Sequence, residues 1–457
     1  MKFLGIPKNR SLTVAALLGC GIVLSAETIV IRNVDVYPVI GAEMKGVSVV
    51  LQDGKIAEIG AKIVPAKGAR IIEGKGLRVY PGMIDSATEL GLAEISAVRE
   101  SVDTGELGEF MPQLRALSAV NHDSEHFGVV RVAGVTSVMT FPSSGGGGGG
   151  GGGRFGGGER QYISGQAALI HTDGWNWEDM AIDPSAAVHL IFPTLNVRGG
   201  RGGAMPDAIP EATPGAAGAA GAGFTAAKRT YDQQVAKITE FFDEARQYRK
   251  ERAAKAPGFK PVLKMEAMMP VLEGKVPLAV SAGRASAIHD AIAFAEKQQI
   301  KIVILQPRDI AKAGPELKAK NIPVILGEVL ALPEQEDDPY DSAFTQPAEA
   351  YKAGVKFAFG TFNNQFVRNL PYQAATAVAF GLPYEEALKA VTINAAQIWG
   401  HADELGSVEK GKVADLMVTT GDPLEISTQV KYVFIKGKEV PLVNKQTRLY
   451  DKYMSRQ

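Results

Sequence analysis

The 457-residue chain is 46% hydrophobic and 22% charged with a net charge of −1, which excludes a wholly disordered chain and any global pull toward nucleic acid or an anionic membrane surface. Its length suits one large barrel-type domain with a smaller companion, or two to three average domains. Six histidines are few for a His-rich metal site, and the single cysteine is Cys20.

In chain order, Lys2, Lys8 and Arg10 precede SLTVAALLGCGIVLSA, an apolar stretch too short to span a bilayer comfortably and ending in small residues. Residues 1–26 therefore read as a secretory signal cut after Ala26, implying a periplasmic or secreted protein with no membrane span once processed. A retained anchor helix and a lipoprotein site at Cys20 are the lesser readings. The processed chain would have no cysteine, so its stability has to come from a large core and not from disulfides.

Residues 27–79 read as short β-strands, with Asp53-Gly54 between two β-rich runs as a hairpin signal. Residues 396–445 repeat that vocabulary, which predicts a small β-sandwich domain built from both termini. Between them, residues 80–395 alternate apolar strand-like runs with helix-length segments. Eight such runs, beginning near residues 80, 134, 166, 187, 276, 300, 321 and 354, predict a parallel (β/α)8 TIM barrel of the α/β class. Two segments interrupt it. The glycine run of 145–158 lacks the spacing of a phosphate loop and reads as a surface loop. Residues 198–255 read as an Ala/Gly linker followed by a charged amphipathic helix, packed on the barrel exterior or over its mouth.

Barrels of this kind place binding and catalytic groups just beyond the C-terminal ends of their strands. Asp85 and Glu89 are the candidate acid/base pair, if burial raises one carboxyl; holding backbone or Arg partners is the structural alternative. Gln166, His171, Trp175, Arg284, Gln306 and Asn363 are candidates to hold a small polar or peptide-like ligand. His122 and His126 have metal-compatible i,i+4 spacing but precede the second strand, at the wrong face. There is no Gly-x-Ser-x-Gly elbow and no HExxH. Ser281 lies at a strand end with no histidine near it in sequence, and His189, His289 and His401 show no partners in sequence.

YPGMIDSATELGL (80–92), LKAVTINAAQIWG (388–400), GSVEKGKVADLMVTTGDPL (406–424) and VKYVFIKGKEV (430–440) together resemble the amidohydrolase superfamily, in its imidazolonepropionase-like branch. The resemblance covers 28–440 apart from the two insertions. It implies a barrel that hydrolyses C–N bonds with one or two divalent metals, held by His-x-His after strand one, single histidines after strands five and six, and an Asp after strand eight. Such a metal brings the pKa of bound water near neutral. In this sequence those stations fall on Ala87 and Glu89, Ser281, Gln306 and Phe362. Alanine, serine, glutamine and phenylalanine are poor ligands for such a cation, so the expectation is an empty metal site and no cofactor. Two functions remain open: a degenerate hydrolase kept as a binding or partner subunit, in a homo-oligomer or paired with an active relative, and a C–N hydrolase using carboxylates or a non-standard metal site.

Overall fold

The computed structural model describes residues 27–142, 161–195, 216–255, 258–333 and 338–456. The signal segment 1–26 with Cys20, the glycine run 145–158 and the linker up to residue 215 lie outside the described residues.

Both termini contribute to one small β-domain. Its strands β1 (Ile29–Val36), β2 (Met44–Gln52), β3 (Lys55–Gly60), β4 (Arg70–Glu73) and β5 (Arg78–Pro81) come from the N-terminal part. Asp53 and Gly54 both have positive φ, 51° and 78°, the conformation of a two-residue hairpin turn whose twist matches the flanking strands, and Gln52 pairs with Lys55 across it. The C-terminal β14 (Leu416–Thr419), β15 (Val430–Ile435) and β16 (Lys438–Val440) extend the same sheet, because β14 pairs antiparallel with β5. β4 branches from β1, and Ile31, Val49, Leu51, Ile56, Val79, Leu416 and Phe434 are the buried core.

The second sheet is the barrel, with β6 (Met83–Thr88), β7 (Val135–Thr140), β8 (Ile163–His171), β9 (Ala181–Ile191), β10 (Leu278–Ser281), β11 (Ile302–Leu305), β12 (Val324–Leu326) and β13 (Phe357–Phe359) hydrogen-bonded in sequence order. All eight expected strands are present. The expectation that all run parallel is corrected: β8 pairs antiparallel with both β7 and β9, so seven strands point to the mouth and β8 points away from it. The physical reason is the short connection between β8 and β9. Residues 172–180 hold one turn of helix, Trp177–Met180, and a parallel crossover needs a dozen residues or more.

The sheet closes where β13 returns to β6. Phe362 N donates to the Ala87 carbonyl at 2.7 Å, and the Asp85 carboxylate receives Thr361 N at 3.0 Å, Thr361 Oγ1 at 2.5 Å and Ala87 N at 3.1 Å. The barrel interior is rich in small residues, including Ala87, Ala167, Ala187, Ala279 and Ala358. Larger groups fill the remaining space: Met139 and Leu169 from the strands, Phe141 just beyond β7 and Trp399 just after the helix Ile393–Ile398, with Phe141 and Trp399 ring centroids 5.8 Å apart. That helix lies at the floor, where Val391 O accepts from Ile84 N and Asn394 Nδ2 donates to Phe357 O, both at strand beginnings.

The helix predicted in the insertion runs over Ala216–Ala253, starting within the segment read as linker. Ile238, Phe241, Ala245 and Tyr248 follow one another at three- and four-residue intervals, with Tyr231 two turns earlier and Phe242 beside them, and all are buried. Phe242 stacks edge-on against Phe294 of the helix Ala285–Gln298, so the insertion packs on the barrel exterior, and Phe241 also stacks on Phe110, which bridges to Ile163 at the mouth end of β8. Among the described residues, no helix is long and apolar enough to cross a membrane.

Candidate functional site at the barrel mouth

The mouth is the end at which β6, β7 and β9 to β13 finish and β8 begins. On β9, His189 follows Ala187 by two residues, and on β10, Ser281 follows Ala279 by two, so both share the inward face of the alanines. Strand register places Ala279 beside His189, one step short of Ser281 on that face. The outcome is direct contact: His189 Nε2 is 2.8 Å from Ser281 Oγ. The other ring nitrogen, Nδ1, lies 3.0 Å from the Pro142 carbonyl and 2.8 Å from Ser164 Oγ, whose hydroxyl also donates to Pro142 O at 3.0 Å.

The Pro142 carbonyl can only accept, which assigns the proton to Nδ1 and leaves Nε2 as the acceptor for the Ser281 hydroxyl. Burial pushes the His189 pKa down to about 4, only partly offset by the Pro142 carbonyl, so the ring is neutral at pH 7. Phe141 meets it edge-on at 5.6 Å and fixes its plane. Ser281 is half-buried at the end of its strand. Sequence reasoning missed this pair, which is 92 residues apart. The available signal was that each residue stands two positions after an alanine at the mouth end of its own apolar run.

The residues expected at the mouth divide into three groups. Glu89, Arg284, Gln306 and Asn363 lie there. Glu89 is part-buried just past β6; Arg284 precedes the helix Ala285–Gln298, its guanidinium 3.8 Å from Asp309. Asn363 Oδ1 accepts from Gln365 N at 2.7 Å, and its carbonyl accepts from Thr88 Oγ1. Gln166 turns its amide to the Pro112 carbonyl at 2.8 Å and is buried. Asp85 is wholly buried in the closure between β6 and β13. Burial raises its pKa to about 7, against the lowering effect of the Thr361 and Ala87 donors.

His171 and Trp175 are corrected to the opposite end of the barrel. Because β8 runs backwards, its last residue lies at the floor, where His171 Nδ1 is 3.2 Å from Asp415 Oδ2 of the β-domain without hydrogen-bond alignment. Trp175 follows it there and is 89% exposed. His126, in the helix Glu125–Val132 before β7, has its Nε2 3.0 Å from the Glu94 carbonyl.

The metal stations do not fit a metal. Ala87 packs in the interior with no polar atom on its side chain, and its Cβ would lie 2.9 Å from a Cβ placed on Gly360, so the two strands meet closely there. Gln306 and Phe362 take left-handed backbone, with φ of 50° and 49°, and Phe362 packs against the interior cluster. Ser281 is engaged with His189. Glu89 alone remains as a carboxylate of that set, and one carboxylate does not make the His/Asp cage of a borderline cation.

The Amidohydrolase family model matches residues 324–440, from β12 through β16. Among curated relatives, the imidazolonepropionase of Sphingopyxis alaskensis is 42% identical over 57 residues, 12% of this chain and 14% of that protein. That of Flavobacterium johnsoniae is 36% identical over 95 residues, 20% of this chain and 23% of its own length. The matches therefore span less than a quarter of either relative. An amidohydrolase from Thermotoga maritima MSB8 superposes with a TM-score of 0.74 at 26% identity, covering 90% of this chain and 99% of that one. Phenylurea hydrolase B shares the fold at a TM-score of 0.50 and 16% identity, over 91% and 97% of the two chains. By its barrel, its shared terminal β-domain and these matches, the chain is similar to the amidohydrolase superfamily across the fold, to its family model over 324–440, and to imidazolonepropionases over shorter stretches.

Proposed function

We propose that this protein does not run the metal-dependent hydrolysis of its superfamily and serves as an exported binding or partner subunit on the hydrolase scaffold. The observation that carries this reading is the residue set at the metal stations, where Ala87, Gln306 and Phe362 offer neither imidazole nor carboxylate, Ser281 is engaged with His189, and the neighbouring Asp85 is committed to closing the sheet. A lost ligand is compensated only where other donors remain, and Glu89 is the one carboxylate left at those stations. Arg284, Gln306 and Asn363 around the mouth support a small polar ligand, and export is supported by the basic and apolar pattern of residues 1–26.

Metal analysis of residues 27–457, purified without chelator, is the test. Less than about a tenth of an equivalent of any divalent transition metal is expected, and near one equivalent of zinc, manganese or iron would overturn the reading. Purification from the source cell adds the partner arm: a second chain held in fixed ratio identifies a hetero-oligomer, and a single species of multiple mass a homo-oligomer.

A further inference from the structure

We infer that Ser281, with His189 as its base, is a metal-free acyl acceptor at the barrel mouth that turns over small carboxylic esters. The geometry has the parts a serine nucleophile requires. A half-buried hydroxyl stands at the strand end, and a neutral imidazole nitrogen lies at hydrogen-bond distance from it. Proline and serine groups on the far side of the ring orient it and fix the tautomer in which Nε2 is basic. Ser164, which touches the ring and not the reacting hydroxyl, is a positioning residue.

The order of events follows from these contacts. A bond forms between Ser281 Oγ and the ester carbonyl carbon while the hydroxyl proton passes to His189 Nε2. Collapse of the tetrahedral adduct breaks the bond to the alcohol oxygen, and Nε2 returns the proton to the departing alkoxide. A water molecule, giving a proton to the same nitrogen, then attacks the acyl carbon; the bond to Ser281 Oγ breaks, Nε2 returns the proton to Oγ, and the carboxylic acid leaves.

The partners of Nδ1 set the substrate class. A carbonyl and a hydroxyl stabilise the imidazolium formed in the transition state less than a buried carboxylate would. That limits the centre to leaving groups that depart readily, so esters are substrates and unactivated amides are not. The scaffold's ancestral C–N bonds therefore lie outside its range.

The test is covalent labelling of the mature chain with a fluorophosphonate, read by intact mass and peptide mapping. One phosphonyl group on Ser281 is expected, absent in Ser281→Ala and added roughly a hundredfold or more slowly in His189→Gln. An unlabelled Ser281 under conditions that saturate a reference serine esterase would overturn the inference, as would an unchanged rate in His189→Gln. Should His189→Gln not fold, Ser281→Cys gives the same reading, since Cys20 is the only natural cysteine and the mature chain begins after it. Its alkylation by iodoacetamide at pH 7 should outpace that of free cysteine; an equal or slower rate overturns the inference. Labelling bears on this centre alone, and metal content on the preceding reading alone, so each can fail without the other.

Discussion

The two ends of β8 bury two histidine contacts of opposite character. At the mouth, Ser164 supports His189, which meets only neutral groups: a carbonyl and two hydroxyls. At the floor, His171 faces the Asp415 carboxylate, whose other oxygen accepts from Lys436 N at 2.8 Å. The mouth arrangement keeps a base uncharged beside a hydroxyl, whereas the floor arrangement joins the barrel to the small domain. One strand therefore supports a chemical contact at one end and a structural one at the other, and its reversal is what sends them to different faces.

The largest expected effect comes from breaking the mouth and reading stability against pH. Asp85, with a folded pKa of about 7 against 3.8 unfolded, contributes stability that is full below pH 4 and is lost as pH rises through 7. His189, at about 4 folded against 6.5 unfolded, contributes stability that is full above pH 6.5 and is lost as pH falls through 4. Between pH 4 and 6.5 the two slopes oppose. His189→Gln should uncover the Asp85 slope, with urea unfolding free energy falling by about 4 kcal/mol from pH 4 to 7. A flat profile in that variant would show that Asp85 is ionised in the fold.

Asp415→Ala attacks the floor instead. It orphans Lys436 N and leaves His171 without its carboxylate, at an expected cost of about 3 kcal/mol in urea unfolding at pH 7. A loss below about 1 kcal/mol would make the floor pair a contact of no structural consequence and dissolve the contrast. Asp85→Asn sharpens the mouth side, since an amide keeps an acceptor for Ala87 and Thr361 and removes the titration. Stability should then rise by about 3 kcal/mol from pH 4 to 6.5, the contribution of His189 alone. The smallest effect is expected at Trp175→Ala. A side chain this exposed at the floor should change stability by less than about 0.5 kcal/mol and leave fluorophosphonate labelling of Ser281 untouched. A labelling change would return Trp175 to the mouth.

Much of the fold was legible because apolar runs of strand length, separated by turns and helical patterns, report burial directly. The Asp53-Gly54 turn and the eight barrel strands follow from that signal. Strand direction does not, since β8 is buried along its whole length and a run of buried residues reads alike in either direction. The clue was distance: taking the fourth strand to start at residue 187 left room for a crossover, whereas β9 begins at Ala181 and leaves only a hairpin. The substitutions at the metal stations were readable residue by residue. The His189–Ser281 contact was not, because the two residues meet through barrel register, and the Asp85 partner Thr361 is 276 residues away.

The hairpin between β8 and β9 does more than reverse the chain. Lys436, in the turn between β15 and β16, bonds to Asp179 within it, and His401 behind the floor helix pairs with Asp183 at the start of β9. A tensile load that pulled the small domain from the barrel would thus be borne by the first turns of the fourth strand, whose other end carries His189. Force applied to the small domain is thereby passed into the strand that positions His189.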